Sequence, residues 1–532
     1  MMFFRFCVFA VLFSLGCGSF SSLSGADTLK LQQSDFVLIN GVQHRYKTAV
    51  DCKDGLFSVQ IDPQKQISNG TRGAELKLPL DKIRGKNIIL RAKMRGIGID
   101  SNVDANHVGG KILAVVTAGG KTRYIGSQTV IGDTDFQDVY VVCPIPANAE
   151  KASFTFGLQQ AWGRLEFKEP VCEFDAPAGV VLKPRSLPLI ASENKVGSAY
   201  NFILFGDTHF DREPEVYHSK FSYSKNTSFA QTQKREFMRY ADMWKNRSPR
   251  MLAAAGKVCE KSASAFVVQL GDLVQGDCSS SAEQTGMLNE ALSIFQNSFP
   301  GKKFLTVCGN HDVRGVGAVK AYRKVMPAYH SKVLGKEIKK TTFAYRHGED
   351  LYAFVDFNNV DVPELKKILQ ENQNARYKFI LIHAPVLPAD HPLAHWFYLG
   401  DSNRERSEMR ELLLKNDVIV LAGHTHTFEL LECQTDSGRI TQLITGGVWT
   451  SEGLKKPVIH YTKPADYGKI LQKNPAKYKN GIRLISEVSP AVTRYFRGEG
   501  TGFSRIEVTP EGVTAYFYGG DAVTPTQTIK LR

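Results

Sequence analysis

With 532 residues, the chain is long enough for two or three domains with sizeable cores. Hydrophobic residues make up 42% of it and charged residues 23%, the balance of a globular protein, and no internal repeat or low-complexity tract departs from that. The net charge of +14 either steers anionic ligands to the chain or serves only to keep a Lys-rich surface soluble. It is spread along the chain with no recognised nucleic-acid motif, so nucleic-acid binding finds no support beyond a pI near 9.2.

From the N-terminus, Met1 to Arg5 is a short start with one positive charge. The ten mostly apolar residues from Phe6 to Leu15 follow, too few to span a bilayer. Small residues at Ser24, Gly25 and Ala26 place cleavage near Ala26. Residues 1–26 therefore read as a signal peptide and the mature protein as exported, periplasmic or extracellular. A lipid anchor on Cys17 ranks second, because Ser14, Leu15 and Gly16 make a poor small-residue box. No later segment is long and apolar enough for a membrane span. Seven of the nine cysteines follow the leader, without paired zinc-ribbon spacing. Export permits disulfides: Cys143 could bridge to Cys172 on a neighbouring strand and Cys259 to Cys278, while Cys308 reads as a buried thiol.

Residues 27–185 read as all-β. Alternating or β-branched runs recur at Asp35–Ile39, Asn87–Met94, Ile112–Thr117, Asp138–Cys143, Ser153–Leu158 and Gly163–Phe167, separated by Gly, Asn and Asp clusters. That spacing suggests a sandwich or jelly roll. The run Pro144–Ala149 followed by Phe154–Leu158 resembles the late strands of jelly-roll modules found beside carbohydrate-active and other exported enzymes. Trp162 in that region either caps the sandwich core or offers a stacking platform to a glycan or cell-surface ligand. Prolines 177, 184 and 188 mark a connector, with the linker at 186–198 and a second domain over 199–532.

The second domain alternates strand and helix, which argues for an α/β sheet. Its expected strands are Asn201–Phe205, Ala265–Leu270, Lys303–Cys308, Lys378–Ile382 and Val418–Ala422. Helical patterns lie at Gln231–Ala263, Ala282–Phe295, Val316–Met326 and Val362–Leu369. Thr342–Tyr345 and Leu351–Phe357 form a hairpin around Gly348, and Ser504–Val508, Val513–Tyr518 and Thr528–Leu531 close the domain as antiparallel strands. Each of the five main strands runs directly into residues that can ligate metal: Asp207 and His209, Asp272, Asn310 to Asp312, His383, then His424 and His426. A sheet delivers distant residues to one rim in this way. Carboxylates, imidazoles and an amide, with no thiolate, suit borderline ions such as Mn, Fe or Zn.

These five segments, Asp-x-His, Gly-Asp, Gly-Asn-His-Asp, a lone His after a strand and Gly-His-x-His, resemble the calcineurin-like metallophosphoesterase superfamily over about 200–450. The resemblance implies a β-sandwich flanked by helices and a pair of metal ions. It implies Asp207, His209 and His426 on the first ion, Asn310, His383 and His424 on the second, and Asp272 bridging both. His311 would meet the phosphoryl oxygens or protonate the leaving group, and Asp312 would orient His311 through a hydrogen bond. The purple branch carries a tyrosine ligand shortly after the second Asp. Gln275 stands in that place, so the chain looks like the non-purple branch.

Other residues stay open on the sequence alone. Asp211 is a supporting or a turn residue, and His391, His395, Trp396 and Tyr398 line the cleft or pack a loop. Gly446 and Gly447 would let the backbone approach the metals. Seven Lys and three Tyr against the single acid Asp466 make 455–479 either an anion-receiving segment or a solvated lid. Arg239 to Trp244 form an insertion long enough to reach the cleft. The expected function is an exported dinuclear-metal hydrolase of phosphate esters, phosphodiesterase or phosphatase. The rival is a surface glycan- or partner-binding protein on a silent phosphoesterase scaffold.

Overall fold

The computed structural model describes every residue except 1–27, 40, 44–45, 63–70, 102–107, 128, 176–180, 188–196, 220, 222–226 and 393–402. The leader with Cys17, most of the linker, and His395, Trp396 and Tyr398 therefore lie outside the described residues. No helix among the described residues is long and apolar enough to cross a membrane.

The N-terminal part is a sandwich of two antiparallel sheets. One runs, in spatial order, Gln137–Pro144, Asn87–Asp100, Trp162–Asp175, Leu56–Ile61, Tyr46–Lys53 and Gly41–Gln43, with Thr28–Lys30 also on Trp162–Asp175. The other runs Phe36–Leu38, Thr71–Leu76, Ala149–Gln159, Gly109–Ala118 and Lys121–Gly126. Side chains alternate across a strand, so Ile88, Leu90, Ala92 and Met94 face Ile112, Ala114, Val116, Phe154 and Phe156 in one buried core. Phe57 stacks on Phe167 at 4.5 Å near its centre. Trp162 packs against this core.

The strands of Cys143 and Cys172 are not neighbours. Cys143 pairs with Ile88 and Cys172 with Leu90 on the strand that runs between them. Two strand spacings, about 9–10 Å, exceed disulfide reach. Cys278 instead lies 3.8 Å from the Met287 sulfur, and all seven described cysteines are free thiols. Reductant should therefore leave the melting temperature unchanged. A fall of more than about 5 °C would reveal a bridge.

The second part contains two further sheets. The six-stranded one orders Lys303–Thr306, Phe266–Gln269, Tyr200–Phe205, Gly502–Thr509, Gly512–Gly519 and Gln527–Lys530. The eight-stranded one orders Phe343–His347, Asp350–Val355, Lys378–Ile382, Val418–Ala422, Gly438–Ile444, Phe428–Thr435, Val492–Glu499 and Val458–Tyr461. Their facing sides meet in a core of Phe202, Leu204, Val268, Leu305, Phe354, Phe379 and Leu421. Ile203, Phe205 and Val267, on the opposite face of their strands, pack under the helices Thr227–Asn246, Ser248–Lys261, Ser281–Ser298 and Ala318–Leu334. Helices Val362–Glu371, Asn403–Lys415 and Lys479–Val488 cover the other sheet. This is the helix-flanked β-sandwich that the sequence leads one to expect.

Two helices differ from expectation for a physical reason. Gln231–Ala263 is two helices broken at Arg247, because Pro249 has no N–H and fits only the first turn of a new helix. Ala318–Leu334 continues through Pro327, where burial of Met326 and His330 outweighs the lost hydrogen bond. The described connector residues lie along the second part. Leu182 N donates to the Glu487 carbonyl, and Ser186 Oγ donates to Asp436.

Within each sheet the strands that precede the candidate ligands are parallel: Tyr200–Phe205, Phe266–Gln269 and Lys303–Thr306 in one, Lys378–Ile382 and Val418–Ala422 in the other. Their C-terminal ends open on a common rim.

Candidate metal centre

The rim loops are forced close together. A Cβ on Gly309 would collide with the Asp272 backbone, and one on Gly447 would collide with the Asp207 carbonyl. His209, Asp272, His424 and His426 have φ of 44°, 52°, 70° and 53°, the left-handed region that non-glycine residues avoid. Each such residue costs on the order of 1–3 kcal/mol and persists where surrounding structure dictates it. Here it turns the four side chains inward.

Asp207, His209, Asp272 and His383 are buried, while Asn310, His424 and His426 are half-exposed at the mouth. The donor atoms of Asp207, His209 and His426 lie within 4.8 Å of one another, as do those of Asp272, His383 and His424. Asp272 stands between the groups. Its Oδ2 is 3.6 Å from His209 Nε2 and 3.3 Å from His383 Nε2. Asn310 Oδ1 is 2.9 Å from His383 Nε2, and His424 Nδ1 is 3.1 Å from that same nitrogen. His209 Nε2 and His426 Nε2 are 3.3 Å apart.

Tautomers follow from the partners. His383 Nδ1–H donates to the Leu270 carbonyl at 2.8 Å, and His209 Nδ1–H donates to Gln275 Oε1 at 2.9 Å. Each Nε2 lone pair is left facing the cluster, the outer hydrogen bond that fixes a metal-binding imidazole. Among the side chains alone the cluster draws in positive charge. Burial opposes a charged His383, but the Asp272 and Asp207 carboxylates outweigh it and raise its pKa to about 9. Burial would raise Asp272 too, yet His383 and His311 hold it well below the usual carboxylate range. His426 and His383 do the same, less strongly, for buried Asp207. Burial, then the neighbouring His311, keeps His209 neutral by pushing its pKa well down. Lone pairs about 3.0–3.5 Å apart are the spacing expected of donors ~2.0–2.2 Å from a shared ion, so the residues fit a pair of metal ions.

Residues 200–428 match the family model of the calcineurin-like phosphoesterases. Over this stretch the chain is similar to that family. Among solved structures, a purple acid phosphatase from yellow lupin is 10% identical, covering 89% of this chain and 79% of its own, with a TM-score of 0.36. A dimetal phosphatase from Danio rerio is 12% identical over 62% of this chain and 98% of its own, TM-score 0.34. A xylan-binding domain is 11% identical over 28% of this chain and 92% of its own, TM-score 0.20. No curated protein matches the chain.

In this stretch Asp312 does not orient His311 as the resemblance implies. Its Oδ2 accepts from Gly309 N at 2.8 Å and its Oδ1 from Val274 N at 3.1 Å, so it ties the Asn310 loop to the Asp272 loop. Burial, with Asp272 nearby, pushes its carboxyl up to about 8. His311 is held by other groups: Nδ1–H donates to the Gln275 carbonyl at 2.9 Å, and Arg314 Nη1 donates to Nε2 at 3.0 Å. Its ring stands edge-on to His209 at 4.4 Å, and burial is the main reason its pKa falls to about 4.

The helix Thr227–Asn246 reaches the site. Tyr240 stacks on His209 at 4.5 Å and 13°, and Trp244 Nε1 donates to the Thr208 carbonyl at 2.8 Å. With Glu236 they recur every four residues, one helical face, a periodicity present in the sequence but lacking a sign of what it would cover. Asp211 takes the supporting role: its Oδ1 lies 2.9 Å from His218 Nε2, and the His218 ring stacks on Phe237 at 3.8 Å. His391 is half-buried outside the cluster. Gly447 lies against the Asp207 backbone.

Proposed function

We propose that the protein is an exported hydrolase of phosphate esters, a phosphatase or phosphodiesterase of the non-purple kind, using two ions drawn from Mn, Fe and Zn. The observation that carries this is the position of Asp272 between two donor groups, with the lone pairs of His209 and His383 turned toward it. When bound, the ions would polarise the phosphoryl group and lower the pKa of a water to near neutrality. Asp207, His209 and His426 would hold one ion, Asn310, His383 and His424 the other, and Asp272 both.

The chain's own groups set the rest. The Leu270 carbonyl and the Gln275 amide keep each proton on Nδ1, so the buried rings present only lone pairs inward. His311 N donates to Asp272 Oδ1 at 2.7 Å, leaving Oδ2 for the cluster. Tyr240 and Trp244 cover the His209 side and shield it from bulk water. Export rests on the leader sequence. The expected result is that protein from the exported fraction, its N-terminus near residue 27, hydrolyses mono- or diesters after loading with one of the three ions. Inactivity on every ester under every loading would overturn the assignment.

A further inference from the structure

We propose that Arg314 recognises the terminal oxygens of a phosphate monoester, held in place by His311, and that it sets the site's preference for monoesters over diesters. This rests on the phosphoester-hydrolase reading above.

The inference starts from two hydrogen bonds whose direction is not open. A backbone carbonyl only accepts, so the bond to Gln275 O at 2.9 Å places a proton on His311 Nδ1. A guanidinium only donates, so the contact at 3.0 Å makes His311 Nε2 an acceptor from Arg314 Nη1. In this arrangement the imidazole presents no proton outward. What it does is hold a guanidinium.

Arg314 is gripped from a second side. Its Nη2 lies 2.7 Å from Asp277 Oδ2. Asp277 is itself fixed, with φ of 57°, its N–H on the Arg314 carbonyl at 2.6 Å, and its own carbonyl accepting from His218 Nδ1 at 3.2 Å. A fork braced in two directions has already lost most of its rotamer freedom, so less is lost when it binds.

The fork also keeps donors in reserve and stands at the mouth. Nη1 and Nη2 each carry a second N–H beyond the bonds just named, buried Nε has no acceptor among the described residues, and 34% of the side chain is exposed. His311, one hydrogen bond away, lies within 4.8 Å of the His209 and Asp272 donor atoms. The remaining neighbour is informative. Glu236 Oε2 sits 3.6 Å from Arg314 Nη2, beyond a hydrogen bond, on a half-exposed side chain. An anionic oxygen is thus already placed beside the fork, loosely enough for a phosphate oxygen to displace it.

The substrate preference follows from counting oxygens. A monoester has three non-bridging oxygens, so two can face the metal cluster while a third, carrying negative charge, meets Arg314. A diester has two, and would offer Arg314 only an ester oxygen, a much poorer acceptor.

The test compares the full chain and its Arg314→Ala variant, each loaded with Mn, on 4-nitrophenyl phosphate and bis(4-nitrophenyl) phosphate, which share a leaving group. The expected result is a loss of about 100-fold in kcat/KM on the monoester, the scale of one lost oxyanion donor. The diester should lose less than about 3-fold, with metal content unchanged and Arg314→Lys intermediate on the monoester. Equal losses on both esters, no loss on the monoester, or loss of metal would overturn the proposal. Should the parent chain cleave neither ester with Mn, Fe or Zn, the hydrolase reading passes to the wider range of esters named above, and inorganic phosphate binding by calorimetry decides Arg314 alone. About 10-fold weaker binding in the variant supports it, and equal affinity overturns it. Arg314→Gln takes the place of the alanine variant if circular dichroism shows that variant unfolded.

Discussion

Asp272→Asn is expected to cost on the order of 10³-fold or more in ester hydrolysis, the several kcal/mol that metal ions contribute to charge stabilisation. The amide is nearly isosteric. One oxygen would still accept from His311 N, as Asp272 Oδ1 does at 2.7 Å. The other end then becomes an NH₂ group where Oδ2 now lies 3.6 Å from His209 Nε2 and 3.3 Å from His383 Nε2. Donor hydrogens would face the space a cation needs, and the charge shared by both donor groups would be gone. Metal per chain, measured by plasma mass spectrometry, should fall with turnover while the circular dichroism spectrum stays that of the parent. Full hydrolysis with full metal would show that Asp272 is not shared.

Asp312→Ala is expected to damage both fold and site without removing a metal-facing atom. Gly309 N and Val274 N would lose the side-chain acceptor they share, in a buried place. Each orphaned N–H costs about 1–3 kcal/mol, so the loss in urea unfolding should reach roughly 2–6 kcal/mol. The Asn310 and Asp272 loops would separate, and metal affinity should fall about 10–100-fold, as when an outer hydrogen bond to a metal site is lost. Asp312→Asn keeps one acceptor oxygen and should be milder. A variant as stable and as metal-rich as the parent would mean that the loops are held by other contacts.

The contrast between these two residues shows what a sequence reveals. Lys378–Ile382 and Val418–Ala422 have the bounds expected of them, because parallel strands buried on both faces are continuous apolar runs ended by a polar residue. The ligand positions are legible for the same reason, each following such a run. Asp312 is legible as part of the motif, but its partners are backbone N–H groups from two loops, which no side-chain pattern records. Arg314 sits two residues further on and looks like any surface cation until the Asp277 and His311 loops are brought together. Lys121–Gly126 escapes notice as a strand because it is polar and exposed at a sheet edge, as a protected edge must be. The Cys143 to Cys172 bridge that the sequence leaves open fails for a similar reason. Chain order gives no hint that Asn87–Asp100 runs between those two strands.

The candidate ligands are divided between two sheets that no described hydrogen-bonded ladder joins. Asp207, His209, Asp272 and Asn310 descend from the six-stranded sheet, and His383, His424 and His426 from the eight-stranded one. Any ion seated among them acts as a rivet through both layers, so affinity for it becomes resistance of the layers to sliding apart. Starving the protein of metal would then loosen the seam between the two halves of this domain before it disturbed either half.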